Sequence, residues 1–457
     1  MGTGTMEQQA SEPTETRELS QVLRDSGYRK LLVLATLLGV PLSLLAFGFL
    51  TLEHAAQNGL WEHLPHQLGY ADPPWWWPLP LLAVAGPAVA WVVTRLPGNG
   101  GHIPAQGMVA GPPAPSAVPG IVVAGLASLA LGAVLGPEAP LTAMGAGLAL
   151  MTVRSARRAD SPRLVAVLAA TGSAAAVATV FGSPIVAAVL IIELAGIGGP
   201  SLFALILPCL LAAGVGALVF TGFGALTGLD TGGLALPSVP PSETPGVGDF
   251  LWGVPLAAVI ACVVVAAMTF GSKLADWVMQ RTAMRIVLCA VVVGVLLASY
   301  GLVTGRSPGE AALSGQATLA ELAADPHAWP VSALIWLFLF KGLAWTVSLA
   351  ALRGGAVFPA LLLGSALATA CSGFPGFGVT SGLAVGLAAA TAAVMRLPVT
   401  GTILAVLLLG TEAPGQVALI IVSSVVSFVV GELVRSGRSA AASKSAEPPT
   451  HPAPTTV

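Results

Sequence analysis

Long apolar runs recur along almost the whole chain, and they decide which folds it can adopt. A helix that crosses a lipid bilayer needs about 20 predominantly apolar residues. Runs of about that length lie at 31–50, 79–96, 117–135, 164–180, 202–227, 251–271, 284–304, 330–351 and 416–434. The composition agrees, because 55% of the 457 residues are hydrophobic and 9% are charged, whereas a soluble domain carries about 25% charged residues. We therefore predict an all-α, polytopic membrane protein.

Charge and cysteine content exclude several classes of protein. The 19 Lys and Arg residues nearly balance the 21 Asp and Glu residues, so nothing indicates a nucleic-acid partner. The cysteines lie in apolar runs without the spacing of a disulfide framework or a zinc site; they are Cys209, Cys262, Cys289 and Cys371. The sequence also lacks an H-E-x-x-H motif. We therefore expect buried, inert thiols, no metal, no cofactor and no enzymatic activity.

Shorter apolar runs lie between the long ones and are interrupted by Gly and Pro. They lie near 139–153, 184–197, 358–371, 379–395 and 399–411. Each is too short to cross a bilayer comfortably, so we interpret these runs as half-helices or tilted segments. Irregular backbone at membrane depth is tolerated where it is buried in protein or lines a polar cavity. Broken, tilted helices in this number predict a pathway inside the bundle.

The polar ends set the predicted domain boundaries. Residues 1–30 form a cytoplasmic N-terminal segment, with an interfacial amphipathic helix expected at 16–30. The membrane transport domain spans 31–437 and has two related halves at about 31–227 and 251–437. Residues 438–457, rich in Ala, Ser and Pro, are expected to form a disordered tail.

Basic residues predict the orientation in the membrane. They cluster before the first span, in the middle of the first half and after the last span; they are Arg17, Arg24, Arg29, Lys30, Arg154, Arg157, Arg158, Arg163, Arg435, Arg438 and Lys444. Lys and Arg favour the cytoplasmic side of membrane proteins. We therefore expect both termini in the cytoplasm and the protein in the plasma membrane, surrounded by lipid.

An internal repeat links the two halves. The frame G-x-x-x-P-x-x-x-x-G-x-x-L occurs around Pro140 and again around Pro359, an offset of 359 − 140 = 219. A second pair of similar segments surrounds Pro184 and Pro398, an offset of 398 − 184 = 214. Two matches in the same order indicate a duplicated half. The sequence leaves open whether the halves are parallel or inverted, although transporters with broken helices often use inverted repeats.

Three Gly-Pro motifs predict an anion site. In each, a Pro follows Gly at the start of an apolar segment, which is typical of a Gly-rich turn that leads into a helix. The motifs are Gly100-Gly101-His102-Ile103-Pro104, Gly136-Pro137-Glu138-Ala139-Pro140 and Gly355-Ala356-Val357-Phe358-Pro359. Helix N-termini present unpaired backbone N–H groups and a positive dipole end, and Gly lets an ion approach them closely. We predict that the three N-terminal ends converge on one site for a small anion.

These motifs give the chain a resemblance to the CLC family of chloride channels and chloride/proton exchangers. The first motif resembles the family's G-S-G-I-P, the second its G-R-E-G-P and the third its G-x-F-x-P. Segments 181–193 and 397–404 also resemble family segments, so the similarity extends from the first span to Gly437. The resemblance implies an inverted-repeat bundle, a homodimer with one anion pathway in each subunit, and chloride or a similar anion as substrate, with protons as a second substrate in the exchangers.

The chain departs from the family pattern at several positions. Gly101 stands where the family has an anion-coordinating Ser, Pro137 replaces Arg, and Val357 replaces Phe. The family's inner proton-transfer position falls on Leu194, and its late Tyr has no counterpart, since the tyrosines are Tyr28, Tyr70 and Tyr300. These departures predict channel-like or weakly proton-coupled transport. Chloride/proton antiport, and transport of another small anion, remain the alternatives.

Glu138 is the predicted gate. A carboxylate in an apolar, Gly/Pro-broken segment is costly to bury, and such residues commonly mark ion or proton routes. The alternative is an acid at a helix start whose oxygens accept backbone N–H bonds. The two interpretations are compatible, because a carboxylate that occupies the anion's place at a helix N-terminus acts as a gate.

Three further polar residues have two interpretations each, and a group of histidines has one. Glu193 belongs to a possible proton route or caps a helix locally, and His102 is a pH-sensitive anion ligand or faces a wet vestibule. Lys341, in the run FLFKGLAW, extends to the interface or attracts anions. The histidines between the first two spans, with Glu53 and Glu62, are expected in a polar loop without metalloprotease spacing; they are His54, His63 and His66.

Overall fold

The computed structural model describes residues 20–107, 111–155, 162–196, 198–228, 235–241 and 244–446. Within these ranges the regular structure is helical, which confirms the predicted all-α class. The first half contains α1 Ser26–Asn58, α2 Pro78–Arg95, α3 Val118–Leu129, α4 Glu138–Ser155, α5 Pro162–Val180, α6 Pro184–Ala195 and α7 Gly199–Thr227. The second half contains α8 Val247–Gln280, α9 Thr282–Thr304, α10 Gln316–Ala324, α11 Val331–Ala351, α12 Val357–Ala370, α13 Val379–Met395, α14 Pro398–Leu409 and α15 Ala413–Ala446.

Eight helical segments of the described part are long and apolar enough to cross a membrane. The run at 117–135 is not among them, because α3 ends at Leu129 and the chain turns before α4. Gly132 in this turn has φ +105°, a conformation that favours glycine. A Cβ atom there would lie 2.5 Å from the ring of Trp61. The short runs predicted as half-helices correspond to α4, α6, α12, α13 and α14.

The first membrane helix is longer than predicted at its C-terminal end. Beyond α1 the chain stays helical through a π turn, Gly59–His63, and then to Gln67. The predicted polar loop with His54 and Glu53 is therefore wrong, because the strong helix formers of this segment continue the helix. The described residues contain no cluster of His, Cys, Asp and Glu that could hold a metal ion.

The ends of the chain differ in detail from the predicted boundaries. Asp25 is non-helical and caps α1 by accepting from the Tyr28 backbone N–H at 2.9 Å, so the helix expected at 16–30 is interrupted there. Residues 1–19 and 447–457 lie outside the described part. At the other end, α15 continues to Ala446, beyond the predicted start of the tail at 438, because the Ala-rich sequence favours helix.

The two halves meet through hydrogen bonds between equivalent residues. Gly136 N–H donates to the Gly355 carbonyl at 2.9 Å, and Gly355 N–H donates to the Gly136 carbonyl at 2.6 Å. This isolated bridge is antiparallel. Nearby, Arg353 N–H donates to Ser128 Oγ at 3.0 Å, while Val134 N–H donates to Ser348 Oγ at 3.4 Å. Because the chain runs in opposite directions through the equivalent residues Gly136 and Gly355, the repeat is inverted.

Glycine contacts repeat in the same way in both halves. A Cβ on Gly145 of α4 would lie 2.2 Å from the Gly172 carbonyl oxygen of α5. A Cβ on Gly364 of α12 would lie 2.4 Å from the Gly386 carbonyl oxygen of α13. The offsets are 364 − 145 = 219 and 386 − 172 = 214, the values found for the two prolines. Close helix packing through small residues thus fixes each short helix beside its neighbour.

Lys341 on α11 is fully buried, so the prediction that it extends to the interface is wrong. Its ammonium donates to the carbonyls of Ala311 and Ala312, each at 2.9 Å, and to that of Leu313 at 3.3 Å. These carbonyls belong to the turn that precedes α10. Lys341 therefore holds this turn against α11, since buried carbonyl oxygens need a donor. Of the thiols, Cys209 and Cys289 are buried as predicted, while Cys262 is exposed on the helix surface and Cys371 is half-buried.

Candidate functional site: a buried carboxylate between two glycines

Glu138 is the first residue of α4, and its side chain is folded against the start of α12. The residue is 2% exposed. Its Oε1 atom accepts a hydrogen bond from the Val357 backbone N–H at 2.6 Å. Val357 is the residue equivalent to Glu138 in the second half, since 357 − 138 = 219. A carboxylate of the first half thus occupies the N-terminus of the equivalent helix in the second half, where N–H groups and the helix dipole favour negative charge.

The glycines of the bridge make room for this carboxylate. A Cβ on Gly136 would lie 2.1 Å from Glu138 Oε2, and a Cβ on Gly355 would lie 2.0 Å from Glu138 Cδ. Neither site accommodates a side chain while Glu138 keeps this position. Oε2 itself is buried, and it has no hydrogen-bond partner among the described residues. The two glycines therefore define a cradle that fits one carboxylate group.

A narrow pocket opens beside Glu138 and brings the three Gly-Pro motifs together. Its lining includes residues from each of them, together with side chains that the sequence analysis did not select. The lining residues are His102, Pro104, Gly107, Glu138, Ala139, Thr142, Met268, Gly354, Gly355, Ala356 and Val394. The other motif positions lie outside this lining; they are Gly100, Gly101, Ile103, Gly136, Pro137, Pro140, Val357, Phe358 and Pro359.

The first motif does not start a helix, in contrast to the prediction. After Ile103 the chain forms one 3-10 turn, Pro104–Gln106, and Gly107 then has φ +99°. The positive φ of Gly107 ends the turn, and prolines at 112 and 113 oppose a helix shortly afterwards. Only the motifs at Glu138 and Val357 therefore place a helix dipole at this site. The first motif contributes a tight loop, in which Gly100 and Gly101 also have positive φ.

His102 lies in this loop and lines the pocket. Its Nε2 atom is 2.5 Å from the carbonyl oxygen of Gly107, and the residue is half-buried. One ring nitrogen is therefore engaged within the loop. The contact closes the 3-10 turn on itself, so the imidazole has a structural role here in addition to its place in the pocket wall.

Arg353 is a site residue that the sequence analysis missed. It is 4% exposed, and its guanidinium donates to the Asn99 carbonyl at 3.2 Å and the Leu352 carbonyl at 3.2 Å. The cation thus connects the first motif's loop to the residues that precede the third motif. A lone Arg directly before Gly354-Gly355, at the end of an apolar run, was the available signal. Buried charges in membrane segments are rare and commonly functional.

Glu193 lies away from this pocket, at the start of α14. Its carboxylate accepts from the backbone N–H groups of Val399 at 2.9 Å and Thr400 at 2.6 Å, and from the Thr400 hydroxyl at 2.5 Å. Glu193 thus caps a helix, but the capped helix is α14 of the other half and not a local one as predicted. The next residue, Leu194, is 39% exposed.

Comparisons with known proteins agree on one family. The sequence profile described as voltage gated chloride channel matches residues 85–432. The chain is also 30% identical over 344 residues to the ion-transport protein YfeO of Escherichia coli O139:H28, covering 73% of this chain and 77% of the relative.

Two solved structures share the fold. A slow cyanobacterial Cl⁻/H⁺ antiporter superposes with a TM-score of 0.72 at 20% identity, covering 88% of this chain and 94% of that chain. A CLC-type fluoride/proton antiporter superposes with a TM-score of 0.69 at 18% identity, covering 88% and 95%. The inverted-repeat architecture deduced from the glycine bridge is thus that of known membrane transport proteins.

Proposed function

The chain belongs to the voltage-gated chloride channel family, and we propose that it carries chloride or a similar small anion along a pathway gated by Glu138. The observation that carries this proposal is the position of the Glu138 carboxylate. It lies at the N-terminus of α12, between Gly136 and Gly355, beside the pocket that the three motifs share. An anion that enters this place must displace the carboxylate, since both need the same N–H groups.

Two events open such a gate. An anion can compete with the carboxylate for the Val357 N–H, or a proton can neutralise the carboxylate and weaken its charge-assisted hydrogen bond. The glycine cradle leaves no space for both negative groups at once. Flux should therefore rise with anion concentration and with proton concentration.

Proton coupling is proposed to be weak. Leu194 stands at the family's inner proton-transfer position and carries no ionisable group, and the family's late Tyr has no counterpart. Glu193 is held by three hydrogen bonds at the start of α14. These features support channel-like conduction with a pH-sensitive gate.

The second candidate is anion/proton exchange. It is favoured by the two solved structures with this fold, both of which are antiporters by name. Exchange needs a route by which protons reach Glu138 from the inner side. The proposals differ in one measurable quantity, the number of protons that move with each anion.

The remaining expectations concern assembly and orientation. We propose a homodimer with one pathway in each subunit, located in the plasma membrane, with residues 1–30 and the end of α15 in the cytoplasm. The basic residues near both ends support this orientation through the positive-inside rule, among them Arg24, Arg29, Arg435 and Arg438.

The test is transport by the purified protein in liposomes. Chloride uptake above that of protein-free liposomes, with no uphill proton movement under a chloride gradient, supports the channel-like proposal. Uphill proton movement in a fixed ratio to chloride would contradict the channel-like proposal and support anion/proton exchange. Absence of flux for chloride, fluoride and nitrate alike would overturn the proposal of an anion pathway.

A further inference from the structure

A second buried carboxylate, that of Glu53, lies close to the gate. Glu53 is 2% exposed and projects from the C-terminal part of α1. Its Oε1 atom accepts from the Gln57 side-chain amide at 3.1 Å. Its Oε2 atom is buried without a hydrogen-bond partner in the described part of the chain, as is Oε2 of Glu138. Two orphan carboxylate oxygens in an apolar interior need an explanation, because each is costly to bury.

Packing places Glu53 beside the start of α4. Phe49, one turn before Glu53, and Pro140 of α4 both border Gly125. A Cβ on Gly125 would lie 3.4 Å from Phe49 Cζ and 3.2 Å from Pro140 Cβ. One turn after it, Gln57 donates to the Leu129 carbonyl at 3.2 Å. Glu53 is therefore enclosed between α1, the end of α3 and the turn that leads into Glu138. Helix α1 packs against α4, the helix that begins at Glu138.

The helices that pack against α1 carry few other charges. Helices α3 and α7, which pack against α1, contain no charged residue. The one charged residue of α5, Arg163, lies at the end of α5 that packs beside Leu34, far along α1 from Glu53. Gln57 on α1 itself is uncharged.

Helix α4, which also packs against α1, carries Glu138 at its start and Arg154 near its other end. On its own helical segment Glu53 is followed by His54, Glu62 and His63. Among the charged residues of the helices packed against α1, Glu138 is thus the one at the level of Glu53.

We infer that Glu53 and Glu138 form a proton-sharing pair, in which Glu53 is the group that delivers protons to the gate and receives them from it. This inference rests on the proposed gate. In each transfer one carboxylic acid gives its proton to the other carboxylate, so the charge of the pair is unchanged while the negative charge leaves the cradle. Like-charged carboxylates at short range favour such sharing, since both cannot easily be ionised.

The position of Glu53 gives this route a direction. The N-terminal end of α1 carries Arg29 and Lys30, and Glu53 lies towards the other end. With the cytoplasmic orientation proposed above, Glu53 lies towards the outer side of the membrane, and we place the entry of protons on that side. Protons from one side then set how often the gate opens, without a proton crossing the membrane for each anion.

The test is the pH profile of chloride flux through the full-length protein in liposomes, with the variant Glu53→Gln. The isosteric amide keeps an oxygen that can accept from Gln57. Removing the negative charge makes Glu138 easier to ionise, so opening should require more acid. We expect the midpoint of the profile to shift to lower pH by about one unit, the usual scale for close carboxylates. An unchanged midpoint would overturn the inference.

Two controls make the result specific. Glu62→Gln, at an exposed position farther along the same helical segment, should leave the midpoint unchanged. In Glu53→Gln/Glu138→Gln the profile should be as flat as in Glu138→Gln alone, because Glu53 acts through Glu138. A wild-type profile that is already flat would instead refute the gate itself, which distinguishes the two failures.

A second variant covers the case in which Glu53→Gln does not fold. Gln57→Leu removes the donor that stabilises ionised Glu53, so Glu53 holds its proton more firmly and repels the Glu138 carboxylate less. The midpoint should move in the same direction as in Glu53→Gln, by a smaller amount. A shift to higher pH, or none, would contradict the pair.

Discussion

Gly136 and Gly355 exchange two backbone hydrogen bonds, and the carboxylate of Glu138 fills the space into which a Cβ on either glycine would project. The residues are equivalent positions of an inverted repeat, 219 residues apart. The pairing brings the starts of α4 and α12 together, so a side chain from one half reaches the N–H groups of the other. The proposed gate and anion site therefore both arise from the inverted repeat.

The cradle gives the first prediction. In Gly355→Ala the new Cβ cannot coexist with the Glu138 carboxylate in its present position, since they would be 2.0 Å apart. The carboxylate must leave, so we expect higher chloride flux at neutral pH than in the wild type. Gly373→Ala is the matched control, because a Cβ there has open space and no strained φ. Folded Gly355→Ala protein with wild-type flux would refute the cradle.

Arg353 gives the second prediction. Its guanidinium donates to the buried carbonyl of Leu352 and to the carbonyl of Asn99 in the loop of the first motif. Leaving a buried carbonyl without a donor costs about 1–3 kcal/mol. Arg353→Gln should lower the melting temperature in detergent and reduce anion flux, because the loop at 97–107 loses its attachment. Arg353→Lys should not restore either value fully, since an ammonium lacks the planar fork.

The control for this variant is Arg95→Gln, on the exposed end of α2. It removes the same charge without touching a buried carbonyl, so stability and flux should stay at wild-type values. Equal effects of the two variants would mean that net charge, and not the anchoring of the loop, is responsible.

Glu193 gives the third prediction. Its carboxylate caps α14, and loss of a helix cap typically costs about 0.5–2 kcal/mol. Glu193→Ala should therefore reduce thermal stability, while chloride flux per folded protein and its pH profile remain unchanged. Thr400→Val, which removes one of the three hydrogen bonds, should give a smaller loss of the same kind. If the pH profile of chloride flux is flattened in Glu193→Ala, Glu193 belongs to the proton route and the prediction is wrong.

The fourth prediction concerns the dimer. We expect an apolar interface within the membrane, independent of the polar ends. Deleting residues 1–15 and 447–457 should leave the particle mass in detergent at that of two subunits. The measurement is light scattering coupled to size-exclusion chromatography. If the intact chain is a dimer and the truncated chain is a monomer, the terminal residues hold the dimer together and the prediction is wrong.

Much of this architecture could be predicted because each helix and each motif can be recognised within one short segment of the sequence. Apolar runs fixed the helices, and the offsets of Pro140 and Pro359 revealed the duplicated half. The antiparallel exchange at Gly136 and Gly355 was not visible, since a repeat in sequence carries no direction. The helix expected after Pro104 does not form, because Gly107 ends the turn.

Long-range contacts explain what the sequence analysis missed at the site. The Arg353 guanidinium reaches the Asn99 carbonyl, far away in sequence, and Glu53 comes near the start of α4 only because α1 packs against that helix. Glu53 also appeared to belong to a polar loop, because several histidines follow it. Only the continuation of α1 to Gln67 places it inside the bundle.

The pH dependence of chloride flux in Glu138→Gln tests the central claim most directly. The amide imitates the protonated gate, loses the charge that holds it at the Val357 N–H, and cannot titrate. We expect the flux of this variant, measured in liposomes between about pH 4 and about pH 8, to equal that of the acid-opened wild type at every pH. A variant whose flux still rises on acidification as the wild type's does would contradict the assignment of Glu138 as the gate.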